Sequence, residues 1–235
     1  MTLNFAPVFS GPHLESLLSG LATTLQLALG AWCLAFLGAI ALVLVRSSGL
    51  RVAEWLVAAY VEIHQNIPVL VQVMFWYFAV PELLPEDART WLNERNSEFI
   101  LALLALSFCF AAYMSEALRT GLRAIPKTQY EAGRGLGFGY LGTMRYIIIP
   151  QALRVAIPPL VNYSLLLFKN TSLAMAIGVH ELMYQTRQIE SDTFRTFETF
   201  LVATVIYIAI SFLIMLIGEH LERRAHLTKR AGAAL

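Results

Sequence analysis

Four successive polar residues, Lys169, Asn170, Thr171 and Ser172, interrupt an apolar run that extends from Tyr146 to Val179. An ammonium group beside an amide and two hydroxyls has the chemistry to receive a carboxylate. An ionisable side chain at bilayer depth costs roughly 2.5–3.5 kcal/mol on insertion scales, so Lys169 requires a partner or a water-filled path. Two readings follow: Lys169 pairs with a carboxylate such as Glu62 or Glu116 and staples helices together, or it lines a polar cavity near the midplane. A second polar group, Glu62, His64, Gln65 and Asn66, precedes Pro68, which lacks an N–H and disfavours helix at Ile67. That group reads as a kink satisfied by neighbouring helices or as a gate over the same cavity. A lone His at a kink is more often a hydrogen-bonded packing residue than a proton relay.

Other chemistries are excluded. No Gly-rich Walker loop, HExxH or GxSxG occurs, so the chain is expected to be no enzyme, with no catalytic residues and no ATP-hydrolysing site of its own. Cys33 and Cys109 lie inside apolar runs and read as packing residues, too few for a zinc site. With 17 Lys+Arg against 16 Asp+Glu there is no basic surplus to hold nucleic acid. An energy source, where one is needed, comes from a partner.

The elements that position these residues are membrane spans. Charged residues make up 14% of the chain and hydrophobic ones 57%, whereas an ordinary soluble domain carries about 25% charge. A spanning helix needs about 20 mostly apolar residues. Leu14 to Val45, Val52 to Val80, Phe99 to Leu118, Tyr146 to Val179 and Thr196 to Ile217 each meet that length, giving five spans, with the polar segment His180 to Arg195 between the last two. The first has no basic region before it and is too long for a signal-peptide core, so it is expected to stay as a helix. Arg46 and Arg51 flank the first turn, basic residues from Arg119 to Arg154 surround the middle loop, and Arg223, Arg224, Lys229 and Arg230 form the tail. The opposite side has only Arg89, Arg95, Arg187 and Arg195. The positive-inside rule then places the N-terminus outside, the C-terminus in the cytoplasm and the middle loop inside. Phe75, Trp76, Tyr77 and Phe78 read as an interfacial anchor, and Pro158 and Pro159 are expected to widen or bend the fourth span.

The middle loop reads EAGRGLGFGYLGTMRYIIIP from Glu131 to Pro150. Pro126 opens a short helix, Ala132 and Gly133 give it a nearly bare face, and Gly135, Gly137 and Gly139 let the backbone reverse. Turn glycines alone also fit an interfacial hairpin. The spacing resembles the EAA motif of membrane subunits in ATP-binding-cassette importers, carried here by Glu131, Ala132, Gly133, Gly137, Ile147 and Pro150, with Gly133 where the family usually has Ala. The resemblance extends through GLATTLQLAL, YVEIHQNIPVLVQVMFWYF, the Ala111, Ala112, Tyr113 and Glu116 pattern, PQALRVAIPPLVNY and KNTSLAMAIGVHEL. That set is similar to the polar amino-acid permease group, which includes histidine, glutamine and glutamate/aspartate uptake systems. The segment PELLPEDARTWLNE looks most like the glutamate/aspartate members.

The resemblance implies an all-α integral membrane protein of the type I importer permease fold, one domain over residues 1–235 with an ATPase-coupling loop at 126–149. It further implies a sister permease, identical or similar, two ATP-binding subunits that hold ATP and magnesium, a periplasmic solute-binding protein, and a bacterial inner-membrane location. Residues of the family's K-D-T-S-L segment line its substrate cavity, which points to Lys169, Asn170, Thr171 and Ser172, with Glu62, His64 and Asn66 as further candidates. His64 stands where the family commonly has Arg, and Asn170 where it has Asp. Loss of that negative charge beside Lys169 favours an acidic substrate over a cationic one. A neutral or basic amino acid is the alternative substrate. An ion-coupled secondary transporter using Glu62, His64 and Lys169 is the rival mechanism, although the inverted repeat it calls for is missing. A purely structural scaffold leaves the midplane polar residues without a purpose.

Overall fold

The computed structural model describes residues 3–232, with side chains to residue 224, and those residues form helices and no strand. The side chains of the tail cations Lys229 and Arg230 lie outside the described residues. Helix α1 (Gly11–Arg46) starts with Pro12 in its first turn, where a missing N–H does no harm. Two helices, α2 (Arg51–Asn66) and α3 (Val69–Phe78), then occupy the second apolar stretch. A 3-10 turn at Val80–Leu83 and the short helix α4 (Glu86–Asn93) lead into α5 (Ser97–Arg123), whose Asn96 cap accepts the Phe99 N–H at 3.2 Å. After α5 come α6 (Lys127–Gly135), α7 (Tyr140–Thr143), a π turn at Met144–Ile148 and α8 (Ile149–Asn170). A 3-10 segment, Thr171–Ile177, is followed by α9 (Leu182–Thr193) and α10 (Thr196–Gly232).

Among the described residues, three helices are long and apolar enough to cross a bilayer: Gly11–Arg46, Ser97–Arg123 and Thr196–Arg224. The other two apolar stretches are interrupted, for a different reason in each. Ile67 is extended (ψ 130°) before Pro68, so α2 ends there and α3 begins afresh. The fourth stretch tightens into 3-10 turns directly after Asn170. Pro158 and Pro159 sit within α8 without ending it, and the widened turn occurs instead at Met144–Ile148, ahead of Pro150.

The core is a seam of small residues between α1 and α5. Ala31, Ala35 and Ala39 recur every fourth residue on α1 and are buried together with Ala102, Ala105 and Cys109 of α5. Such faces let backbones approach closely, which is how helices associate where lipid removes the hydrophobic advantage of large side chains. At Gly121 a Cβ would stand 2.5 Å from the Ala152 carbonyl, so α5 and α8 touch backbone to backbone. The outer faces are apolar: Leu29, Leu37 and Leu44 on α1 and Val205, Ile208 and Phe212 on α10 are all more than half exposed. An apolar surface of that extent is stable only against lipid or another membrane helix. Cys33 and Cys109 are both free thiols.

Candidate functional site

A cavity of about 720 Å³ opens where α8 ends. Lys169 and Ser172 line it with Leu70 of α3, Met183 of α9, and Tyr207 and Phe212 of α10. The polar quartet makes this site by the way it ends the helix. Asn170 donates its amide to the Leu166 carbonyl at 2.7 Å, Thr171 its hydroxyl to Phe168 at 2.7 Å, and Ser172 its hydroxyl to Lys169 at 2.8 Å. These bonds satisfy carbonyls at the change from α-helix to 3-10 turns, and Gly178 (φ 90°) closes the segment in the left-handed region open to glycine. Thr171 is fully buried behind the cavity, whereas Lys169 is exposed and has no ion pair among the described residues.

The stapling alternative for Lys169 is not realised. Glu116 accepts Arg46 at 2.7 Å and also pairs with Arg119, while Glu62 accepts the Asn66 amide at 3.1 Å. Glu116 therefore ties the end of α1 to α5. Of the candidates before Pro68, Glu62 and Asn66 are exposed and bonded to each other, and neither lines the cavity. His64 packs at 4.4 Å from the Tyr60 ring and places Nδ1 2.6 Å from Gln72 Oε1. Buried Gln72 donates in turn to the His64 and Ile67 carbonyls at 2.9 and 2.8 Å. It fills the break left by Pro68, a kink satisfied by neighbours.

Glu181 is a residue that sequence reasoning missed. Its side chain is fully buried, caps α9 by accepting the Tyr184 N–H at 2.8 Å, and receives the Tyr207 hydroxyl at 3.0 Å and that of Thr24 at 3.4 Å. Burial pushes its carboxyl above the ordinary carboxylate range, and the hydrogen bonds oppose that shift only in part. Tyr207 thus forms part of the cavity wall while its hydroxyl is held by a group joining α1, α9 and α10. The available signal was a carboxylate placed to cap a helix inside the polar segment His180 to Arg195.

The second site is the elbow between α5 and α8. Gly137 takes φ 83°, the turn between α6 and α7, whereas Gly139 has φ −69° and needs no special freedom. Glu131, Ala132 and Pro150 are exposed and Ile147 is half-buried. Gly133 corrects the expectation of a bare outer face. It is buried, and a Cβ there would stand 2.6 Å from Thr143 Cγ2, so its smallness serves the packing of α6 on α7. The outward surface holds Leu136 and Leu141, 74% and 80% exposed, beside the exposed rings of Phe138, Tyr140 and Tyr146, an apolar patch on the elbow. Gln151 joins the elbow to α8 by donating to Gln129 at 3.2 Å and to the Ile147 carbonyl at 2.9 Å.

The model of the family described as binding-protein-dependent transport system inner membrane component matches residues 36–227, and the chain belongs to that family. Its members are the permease components of ATP-binding-cassette importers; the ATPase is a separate subunit. The chain is 31% identical to the glutamate/aspartate import permease protein GltJ of Escherichia coli (strain K12), over 98% of this chain and 95% of the relative. It is 33% identical to the probable glutamine ABC transporter permease protein GlnP of Bacillus subtilis (strain 168), over 94% and 99%. To the arginine transport system permease protein ArtQ of the same organism it is 30% identical, over 95% and 98%. A crystal structure of an amino acid ABC transporter with histidines superposes with a TM-score of 0.81 at 28% identity, over 95% of this chain and 100% of the other. An inward-facing MetNI methionine ABC transporter shares the fold, with a TM-score of 0.73 at 18% identity.

Proposed function

We propose that this chain is half of the translocation path of an ATP-driven importer of polar amino acids, with glutamate and aspartate as its substrates. The observation that carries the substrate class is Lys169, a cation on the wall of the cavity with no carboxylate paired to it among the described residues. Lys169 attracts the α-carboxylate of any amino acid; a side-chain carboxylate adds to that attraction and a cationic side chain opposes it. The apolar walls formed by Leu70, Met183 and Phe212 strengthen that contact by lowering the local dielectric once a second permease covers the opening. The relatives' names include glutamate/aspartate, glutamine and arginine systems, so the family leaves the substrate open and the cavity argues for the acidic class.

In this reading the bilayer is crossed five times, the broken α2–α3 pair and α8 with its 3-10 extension each counting once. The N-terminus is periplasmic, the C-terminus cytoplasmic, and residues 126–149 form the coupling loop at the cytoplasmic face. A sister permease, identical or similar, completes the path; two ATP-binding subunits hold ATP and magnesium; a periplasmic binding protein delivers the amino acid. Leu136 and Leu141 seat the elbow on an ATPase subunit, and its motion passes to α8 through Gln151 and to α5 through the Gly121 contact. Because those contacts are backbone-close, α5 and α8 tilt together, and the cavity at the far end of α8 alternates its opening.

The test is uptake by the complete transporter with its own binding protein in vesicles, challenged with an excess of each amino acid. Glutamate and aspartate compete fully and arginine does not. Competition by arginine equal to that by glutamate overturns the acidic assignment.

A further inference from the structure

A half-open cavity of about 380 Å³ lies at the end of the bundle opposite Lys169, lined by the end of α1, the first turn of α2, the end of α5, the start of α6, and Tyr140 and Met144 beyond it. Four cations line it, Arg46, Arg119, Arg123 and Lys127, with Glu54 as the one carboxylate on the wall. Glu116 neutralises part of this charge by bridging Arg46 and Arg119. Arg123 and Lys127 have no ion pair among the described residues, and buried Arg46 Nε has no hydrogen-bond partner. Four cations against two carboxylates leave an excess of two positive charges around a half-open cavity. Holding like charges together costs free energy, which a bound anion offsets.

We propose that this cavity binds the phosphodiester headgroup of an anionic glycerophospholipid. Guanidinium forks match phosphate oxygens in pairs, and Lys127 adds a point charge. The cavity lies at headgroup depth, because exposed Trp55 follows the lining residue Glu54 on α2 and marks the interface, and Leu44, Val52 and Leu56, close in sequence to the lining residues of α1 and α2, are all more than half exposed. A free phosphate ion satisfies the same cations but makes no use of those exposed apolar side chains. Basic pockets between transmembrane helices are recurrent sites for such lipids. A headgroup here bridges the α1–α2 turn to the first turn of α6, so the occupied site braces the elbow against the bundle.

The experiment titrates the complete transporter, purified in detergent, with short-chain phosphatidylglycerol, short-chain phosphatidylcholine or inorganic phosphate, and follows the thermal midpoint. Phosphatidylglycerol raises it saturably, and the other two do not at the same concentration. The Arg123→Gln/Lys127→Gln double variant binds phosphatidylglycerol about twenty-five-fold more weakly, about fivefold for each cation removed, with a lipid-free midpoint no lower than the parent's. Lys127→Arg keeps the response. Equal shifts with phosphatidylcholine, an equal shift with inorganic phosphate, or an undiminished response in the double variant each overturns the assignment.

Discussion

Replacing Lys169 by Met is expected to abolish uptake of glutamate and aspartate while the transporter still assembles. Met is unbranched and one atom shorter, so the main change is loss of the charge, and since Lys169 forms no ion pair in the described structure, no internal carboxylate is orphaned. The lost contact is with the substrate. Truncating one partner of a desolvated charge pair costs about 2–5 kcal/mol, so uptake at sub-saturating substrate falls by at least about thirtyfold. Lys169→Arg, which keeps the charge with a different shape, retains part of the activity. The measurement is initial uptake of labelled glutamate in vesicles, alongside the yield of intact complex. Normal uptake by Lys169→Met removes the argument for an acidic substrate.

The second large effect falls at Gly137. A Cβ added there meets nothing within 4 Å, so a substitution is not resisted by crowding. It is resisted by the backbone: φ is +83°, and a β-branched residue in the left-handed region costs about 1–2 kcal/mol. Gly137→Val therefore re-aims α6 relative to α7 rather than unfolding the bundle. The expected outcome is a complex whose ATPase subunits still hydrolyse ATP but no longer link it to uptake, with transport reduced by at least about tenfold, a change of only 1.4 kcal/mol in coupling. Gly135 has equally open surroundings and an ordinary helical φ, so Gly135→Ala is the control and leaves coupling intact. If both variants transport as the parent does, the elbow has no part in coupling.

How much of this was legible in the sequence depends on the range of the interactions. Long apolar stretches announce themselves within one window, so α1, α5 and α10 fall where hydropathy puts them, and Pro68 reveals the break after α2. The side chain that fills that break does not announce itself. Gln72 reaches His64, a full break and eight residues away, and nothing local distinguishes it from any buried amide. Glu181 meets Thr24 across 157 positions, and Arg46 meets Glu116 across 70. A segment as polar as His180 to Arg195 reads as a loop until those partners make α9 worth burying. The elbow was legible as a motif but not in its facing: Gly133 turns inward because Thr143, ten residues later, returns against it. The cost of polar groups in an apolar run singles out residues 169–172, but that argument could not foresee that Asn170, Thr171 and Ser172 each turn a side-chain bond back on their own helix.

The central claim is that this chain moves its substrate only when a separate ATPase drives it. The direct measurement is accumulation of labelled glutamate in vesicles holding the permease pair, with and without the ATPase subunits, the binding protein and ATP. Accumulation above the external concentration is expected only when all are present, and none with the permease pair alone under an imposed proton or sodium gradient. Accumulation by the permease pair alone under such a gradient contradicts it.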